Sequence, residues 1–330
     1  MPSLLVAGAL FVFSLVVLLG ASNLFTAAAE RLGLSLGVSP FLIGATVVAG
    51  GTSLPELVSS VLAVLADEPG IVLGTVVGSN VANVFLVIGL AAVATTHLRI
   101  ERELVRVDLP LLMASAVFLL VAAWDGSVSL YEGVLGLVGL GIYVHFTLST
   151  RDRLDEVVEE LVAEHGEPEA ESDDADEELT VDPPVGVRTY LTILGSLAVL
   201  FLAADLFVGS ILSIASALSV GAELIAMTAV AVGTSLPEIA VSVTAARRGS
   251  SELTVGNVLG SNLFNTFAVV GVPSLLGPLP VPATVRSFAL PVMVLATLLY
   301  YFITQDREIT QWEGVTFVLL YAVFVLNVAG

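Results

Sequence analysis

Two glutamates stand inside long apolar stretches of this chain: Glu56 in Gly51-Thr52-Ser53-Leu54-Pro55-Glu56, and Glu238 in Gly233-Thr234-Ser235-Leu236-Pro237-Glu238. Each falls about 15 residues into its stretch, near the hydrocarbon centre if the stretch crosses a bilayer, where a charge costs several kcal/mol. A carboxylate there needs a proton shared with a neighbouring helix, or a cation. Two matching glutamates at one depth favour the cation. A proline precedes each of them. A mid-helix proline deletes one backbone hydrogen bond and pushes away the carbonyl four residues earlier, here that of Gly51 and of Gly233. The plain alternative is a packing kink. Freed carbonyls beside a carboxylate and hydroxyls, however, form an all-oxygen set suited to a hard cation such as Ca2+, which takes 6–8 oxygens.

Ser79 and Asn83, like Ser261 and Asn265, are spaced i, i+4 and so project from one helix face, where each pair can meet a glutamate. Gly74 with Gly78, and Gly256 with Gly260, are small-xxx-small pairs whose expected role is close helix packing. Asp205 is a further acid within an apolar stretch, and its expected role is a structural hydrogen bond. His97, His145 and His165 fall at helix ends or in a polar segment, so they give no support to a buried histidine metal site or proton relay. The absence of cysteine removes disulfides, thiolate metal sites and cysteine nucleophiles together.

The elements that position these groups are membrane helices. Over 330 residues, 56% are hydrophobic and 13% charged, with a mean hydropathy of +0.99, beyond what a soluble core requires. Apolar runs of roughly 20 residues, the length a helix needs to span hydrocarbon, lie near 4–28, 41–66, 71–95, 104–123, 128–149, 188–217, 222–246, 253–276, 284–304 and 311–329. The first run begins at Leu4 without a basic leader and reads as a membrane helix rather than a signal peptide. The fold class is therefore all-α and polytopic, with ten transmembrane helices. Residues 151–187 form an acidic linker between two five-helix units, 1–150 and 188–330; Arg151 to Asp182 alone holds 15 acids against two arginines. These carboxylates lack the spacing of an EF-hand loop and read as a solvated run. The net charge of −20, with 11 arginines and no lysine, suits a surface bathed in high salt.

Threading ten helices alternately places Arg31, Arg99, Arg102, Arg106, Arg151, Arg153, Arg188, Arg247, Arg248 and Arg307 on one side, and Arg286 alone on the other. The positive-inside rule makes the arginine side cytoplasmic, with both termini outside.

The two units match without a gap at an offset of 182 residues: Gly51–Glu56 recurs as Gly233–Glu238, Gly78-Ser79-Asn80 with Asn83 as Gly260-Ser261-Asn262 with Asn265, Asn23-Leu24-Phe25 as Asp205-Leu206-Phe207, and Gly89 as Gly271. Since five helices is an odd number, the second copy enters the membrane from the opposite side. Such inverted repeats place equivalent residues face to face near the midplane of secondary transporters.

These duplicated motifs, about 45–89 and 227–271, resemble the alpha-repeats of the sodium/calcium exchanger family within the cation/calcium antiporter superfamily. The resemblance implies ion positions formed by helices two, three, seven and eight. It places calcium on Glu56 and Glu238 with the backbone carbonyls of Thr52 and Thr234. Sodium falls on Ser53, Ser79, Ser235 and Ser261 with the carbonyls of Ala49 and Ala231, sharing the glutamates. Asn265, opposite Asn83, stands where many relatives carry aspartate, which tells against potassium co-transport. The resemblance further implies that helices one and six slide across a rigid core to switch access.

The resulting expectation is an antiporter in the cell membrane that lets Na+ in and moves Ca2+ out, with Ca2+, Na+ and the lipid bilayer as its partners. No permanently bound cofactor, obligatory protein partner or nucleic acid is expected. Proton/calcium exchange is the alternative, disfavoured by the four serines and by the lack of extra acids. An intramembrane hydrolase using Ser53 or Ser235 lacks a third orienting group. A passive channel would be slowed by carboxylates that hold a divalent ion tightly.

Overall fold

The computed structural model describes residues 4–95, 97–99, 108–165, 186–217, 233 and 235–329. Among the described residues there are ten helices: α1 (Leu4–Ser35), α2 (Pro40–Leu65), α3 (Gly70–Ala94), α4 (Asp108–Ala122), α5 (Leu130–His165), α6 (Val187–Ala217), α7 (Leu236–Arg247), α8 (Ser251–Ser274), α9 (Val285–Asp306) and α10 (Gln311–Ala329). Eight of them are long and apolar enough to cross a membrane; α4 is a shorter apolar helix, and α7 is described only from Leu236. Four short strands also lie among the described residues: β1 (His97–Arg99), β2 (Ser127–Val128), β3 (Leu279–Pro280) and β4 (Glu308–Thr310).

The strands tie the loops of the two repeats together at opposite ends of the bundle. β1 pairs antiparallel with β4 through Leu98 and Ile309, and β2 with β3 through Val128 and Leu279. The first pair joins the connection after α3 to that before α10. The second joins the connection after α4 to that before α9. Alternate threading of ten helices requires these pairings to fall on opposite sides. Arg99 and Arg307 lie at the first end, and Arg286 comes close to Gly126 at the second.

α3 and α8 form the centre. Their most apolar windows are 78% and 83% buried, against 22% for α1, α5 and α10. The inverted symmetry is visible in the packing: α2 of the first repeat lies on α8 of the second, and α7 of the second lies on α3 of the first. α2 reaches α8 closely because glycines line the contact. A Cβ on Gly256 or Gly260 would overlap the backbone of Phe41 or Ala45, and one on Gly44 would overlap that of Leu253. The expected packing role of the glycine pair in the second repeat is thus met.

α1 and α6 pack along one another against this core. They run antiparallel, since Phe11 meets Phe207 with tilted rings whose centroids lie 4.8 Å apart while Phe25 and Leu197 both approach Gly51. α1 continues through Glu30 and Arg31, seven residues beyond the expected end near 28, because the charge of Glu30 is met by partners: Arg248 at 3.0 Å and the hydroxyl of Ser250. About two turns deeper, the Ser22 hydroxyl bonds the Ala240 carbonyl at 2.6 Å and the Thr244 hydroxyl at 2.7 Å. The repeat mates of Ser22, Glu30, Thr244 and Arg248 are Ala204, Leu212, Leu62 and Ala66, so the duplicated half has no equivalent side-chain fastening. α5 likewise continues as helix to His165, into the segment read as linker.

Candidate functional site

α2 is interrupted at Ser53, and the described part of α7 begins just after the matching Ser235. Ser53 takes φ −89°, ψ 2° and Ser235 takes φ −92°, ψ 6°, the sparsely used region between helix and turn. Beyond each serine a new helical segment starts with proline in its first turn, where the missing N–H has no intrahelical partner to lose. Glu56 and Glu238 occupy those same first turns, where the positive end of the helix dipole favours a carboxylate. In α2 the sequence Ser-Leu-Pro-Glu thus encodes a break, a restart and an acid held at the restart, and in α7 the same sequence opens the described helix with its acid in the first turn.

A second local feature repeats with the same symmetry. Asn83 and Asn265 each open a five-residue π-helical segment, Asn83–Val87 in α3 and Asn265–Val269 in α8. π-bulges are rare and gather at functional sites, because the extra residue per turn redirects side chains and backbone groups. The Asn83–Val87 segment packs on α7, and Asn265–Val269 packs on the Leu54–Leu65 part of α2. Each bulge therefore faces the helix that carries one of the glutamates.

All the described candidate side chains are buried: Glu56 and Glu238 are 1% exposed, and Thr52, Ser53, Ser79, Asn83, Ser235, Ser261 and Asn265 lie at 3% or below. Ala49 is also buried; its carbonyl accepts the Ser53 N–H at 3.0 Å and the Thr52 hydroxyl at 3.4 Å. Ala231 and Thr234 lie outside the described residues. The halves are joined across the site. The Ser53 hydroxyl donates to Glu238 Oε1 at 3.5 Å, and Glu56 and Glu238 lie within reach of one another's charge.

The decisive property of the site is what its oxygens lack. Glu56 Oε1 and Oε2, Glu238 Oε2, Ser79 Oγ, Ser235 Oγ, Ser261 Oγ, Asn83 Oδ1 and Asn265 Oδ1 are all buried with no hydrogen-bond partner among the described residues. Buried polar atoms are normally satisfied, and a bare buried carboxylate is among the costliest exceptions. These eight oxygens on α2, α3, α7 and α8, contributed by both repeats, are of the type a hard cation takes; Ser60 Oγ on α2 shares their unpartnered state. No cluster of three or more His, Cys, Asp or Glu occurs among the described residues, so the set is hard, oxygen-only and carries two acids. That composition suits calcium and sodium rather than zinc or copper.

Other candidates fall away. Asp205 does not make the structural hydrogen bond expected of it: its side chain is exposed on α6, and no partner occurs among the described residues. His97 stands 3.7 Å from Glu308 at the strand pair, and His145 is exposed on α5. The side chain of His165 lies outside the described residues.

Sequence reasoning missed Asn80 and Asn262. They belong to the repeated Gly-Ser-Asn motif, yet the i, i+4 spacing drew attention to Asn83 and Asn265. The signal was present in their type: an asparagine in the most buried helix of each repeat must have partners.

Comparison with known proteins places the whole chain in one family. The family model described as sodium/calcium exchanger protein matches residues 6–149 and 188–330. The sodium/calcium exchanger MaX1 of Methanosarcina acetivorans is 32% identical, with 96% of this chain and 97% of that protein covered. The inner membrane protein YrbG of Escherichia coli is 28% identical, with coverage of 99% and 97%. A solved structure of the sodium-calcium exchanger NCX_Mj, soaked with Na+ and Ca2+, superposes with a TM-score of 0.79 at 30% identity, covering 97% of this chain and 98% of that one.

Proposed function

We propose that this chain, which belongs to the sodium/calcium exchanger protein family, exports Ca2+ against an inward flow of Na+ by alternating access at the site between α2, α3, α7 and α8. The observation that carries this reading is the set of eight partnerless buried oxygens drawn from both repeats around Glu56 and Glu238. In this reading Glu56 and Glu238 hold Ca2+ with the carbonyls of Thr52 and Thr234. Ser53, Ser79, Ser235 and Ser261, with the carbonyls of Ala49 and Ala231, complete the Na+ positions, while Asn83 and Asn265 supply amide oxygens.

Exchange follows from charge. Two buried carboxylates without a cation place bare charge at the membrane centre, a cost of several kcal/mol. Ca2+ neutralises both; Na+ ions do the same in larger number. A site loaded with either species can pass through an occluded state, whereas the bare site cannot do so at comparable cost. Since the same carboxylates serve both ions, one must leave for the other to bind, and the sodium gradient then drives calcium. The sliding pair in this scheme is α1 and α6, which pack on one another along the core.

The arginine-bearing end, with Arg99, Arg247, Arg248 and Arg307, faces the cytoplasm by the positive-inside rule, and residues 151–187 lie there as a linker between the units 1–150 and 188–330. Coupling to protons is the second reading; the absence of a third acid from the oxygen set tells against it. Purified protein in liposomes loaded with NaCl and diluted into sodium-free choline buffer distinguishes them. Radioactive calcium uptake that requires internal sodium supports sodium coupling, and uptake driven only by an imposed pH gradient overturns it.

A further inference from the structure

Asn80 and Asn262 lie where the two central helices touch, and their hydrogen bonds are reciprocal. Asn80 Nδ2 donates to the Asn262 carbonyl at 3.3 Å, and Asn262 Nδ2 donates to the Asn80 carbonyl at 3.3 Å. Asn80 Nδ2 also donates to Thr266 Oγ1 at 3.0 Å. With the nitrogen ends engaged in this way, the oxygen ends are left to accept. Asn80 Oδ1 takes the amide of Asn265 at 3.2 Å, and Asn262 Oδ1 takes the amide of Asn83 at 3.0 Å.

The consequence lies in the chemistry of a primary amide, which has one oxygen and one nitrogen and is therefore directional. Asn83 and Asn265 hold their nitrogens toward Asn262 and Asn80, so their Oδ1 atoms are the ends left buried and unpartnered. A half-turn of either amide would set oxygen against oxygen at Asn262 or Asn80 and present N–H donors where a cation must be held. We infer that Asn80 and Asn262 are positioning residues: each fixes the amide of the other repeat's site asparagine so that this wall of the site offers oxygen to the transported cation. The lock crosses the repeats, Asn80 in α3 serving Asn265 in α8 and Asn262 in α8 serving Asn83 in α3. A carboxylate in place of Asn265 would need no such lock, because it presents oxygen whichever way it turns.

This inference rests on the proposed ion site, and a double-mutant cycle separates the two. Calcium binding to the purified full-length chain is measured with radioactive Ca2+ for the native protein, Asn80→Ala, Asn265→Asp and the double variant, with Glu238→Gln alongside. Asn80→Ala is expected to weaken calcium binding about 10–100-fold, the usual effect of removing a partner that orients a metal ligand. In the Asn265→Asp background the same Asn80→Ala change is expected to cost less than about threefold, a coupling that cancels any general effect of the added charge. Equal losses in both backgrounds, or no loss in either, overturn the positioning role. The mirror cycle of Asn262→Ala with Asn83→Asp tests it independently if Asn80→Ala fails to fold. If Glu238→Gln binds calcium like the native chain, the ion site itself is wrong; if Glu238→Gln abolishes binding while Asn80→Ala is silent, only the lock is wrong.

Discussion

Replacing Glu238 by glutamine removes one negative charge from the site while keeping the shape of the side chain. Calcium meets carboxylate oxygens at about 2.4 Å, and at an effective dielectric of about 20 the attraction of one carboxylate for Ca2+ is about 14 kcal/mol. Desolvation of both partners offsets most of this. If one third survives, the loss is about 4.7 kcal/mol, roughly two-thousandfold in affinity, whereas singly charged Na+ loses half as much, roughly fiftyfold. The substitution is thus expected to act far more strongly on calcium than on sodium. It also removes a buried charge that lacks a protein partner at Oε2 and faces the charge of Glu56. The ion-free variant is therefore expected to melt at or above the temperature of the native protein, while the upward shift that calcium produces disappears. Thermal unfolding in detergent, with and without each ion, reads all of this in one experiment. Equal losses for sodium and calcium, or a fall in the ion-free melting temperature of several degrees, would refute the electrostatic reasoning and make Glu238 a structural residue.

Further expectations follow from the same geometry. Ser79→Ala and Ser261→Ala remove a neutral oxygen each and are expected to weaken sodium competition by about tenfold, near 1.4 kcal/mol, with calcium binding retained; sodium-dependent calcium release from proteoliposomes measures this. Gly256→Ala forces a Cβ onto the Phe41 carbonyl and should cost about 1–3 kcal/mol of thermal stability, whereas Gly74→Ala meets only a Val285 methyl at 3.8 Å and should be tolerated. Ser22→Ala removes the bond from α1 to Ala240 and Thr244 and is expected to cost about 1 kcal/mol. The Glu30→Gln and Arg248→Gln pair should couple by less than about 1 kcal/mol, since Arg248 is 38% and Glu30 18% exposed; melting temperatures of the singles and the double test it.

Much of the fold was legible because a gapless duplication constrains helix number, orientation and symmetry together. The same is true of Glu56 and Glu238, whose type conflicts with an apolar surrounding. What the sequence concealed depends on contacts between helices. Nothing in Asn83-Val84-Phe85-Leu86-Val87 marks a π segment, because an apolar run retains its pattern when one extra residue enters a turn. The extension of α1 to Ser35 needed the pairing of Glu30 with Arg248, more than two hundred residues away. The bond from Ser22 to α7 ends partly on a backbone carbonyl, which carries no sequence signal. Asp205 misled in the other direction, since a charge in an apolar run was expected to find a partner and instead lies exposed on α6.

In the proposed exchanger sodium and calcium contend for the same two carboxylates, and equilibrium binding of radioactive calcium to the purified protein at increasing sodium reads that competition. Sodium is expected to raise the apparent dissociation constant for calcium without reducing the number of calcium sites. A fall in the number of sites at constant affinity, or calcium binding indifferent to sodium, would contradict it.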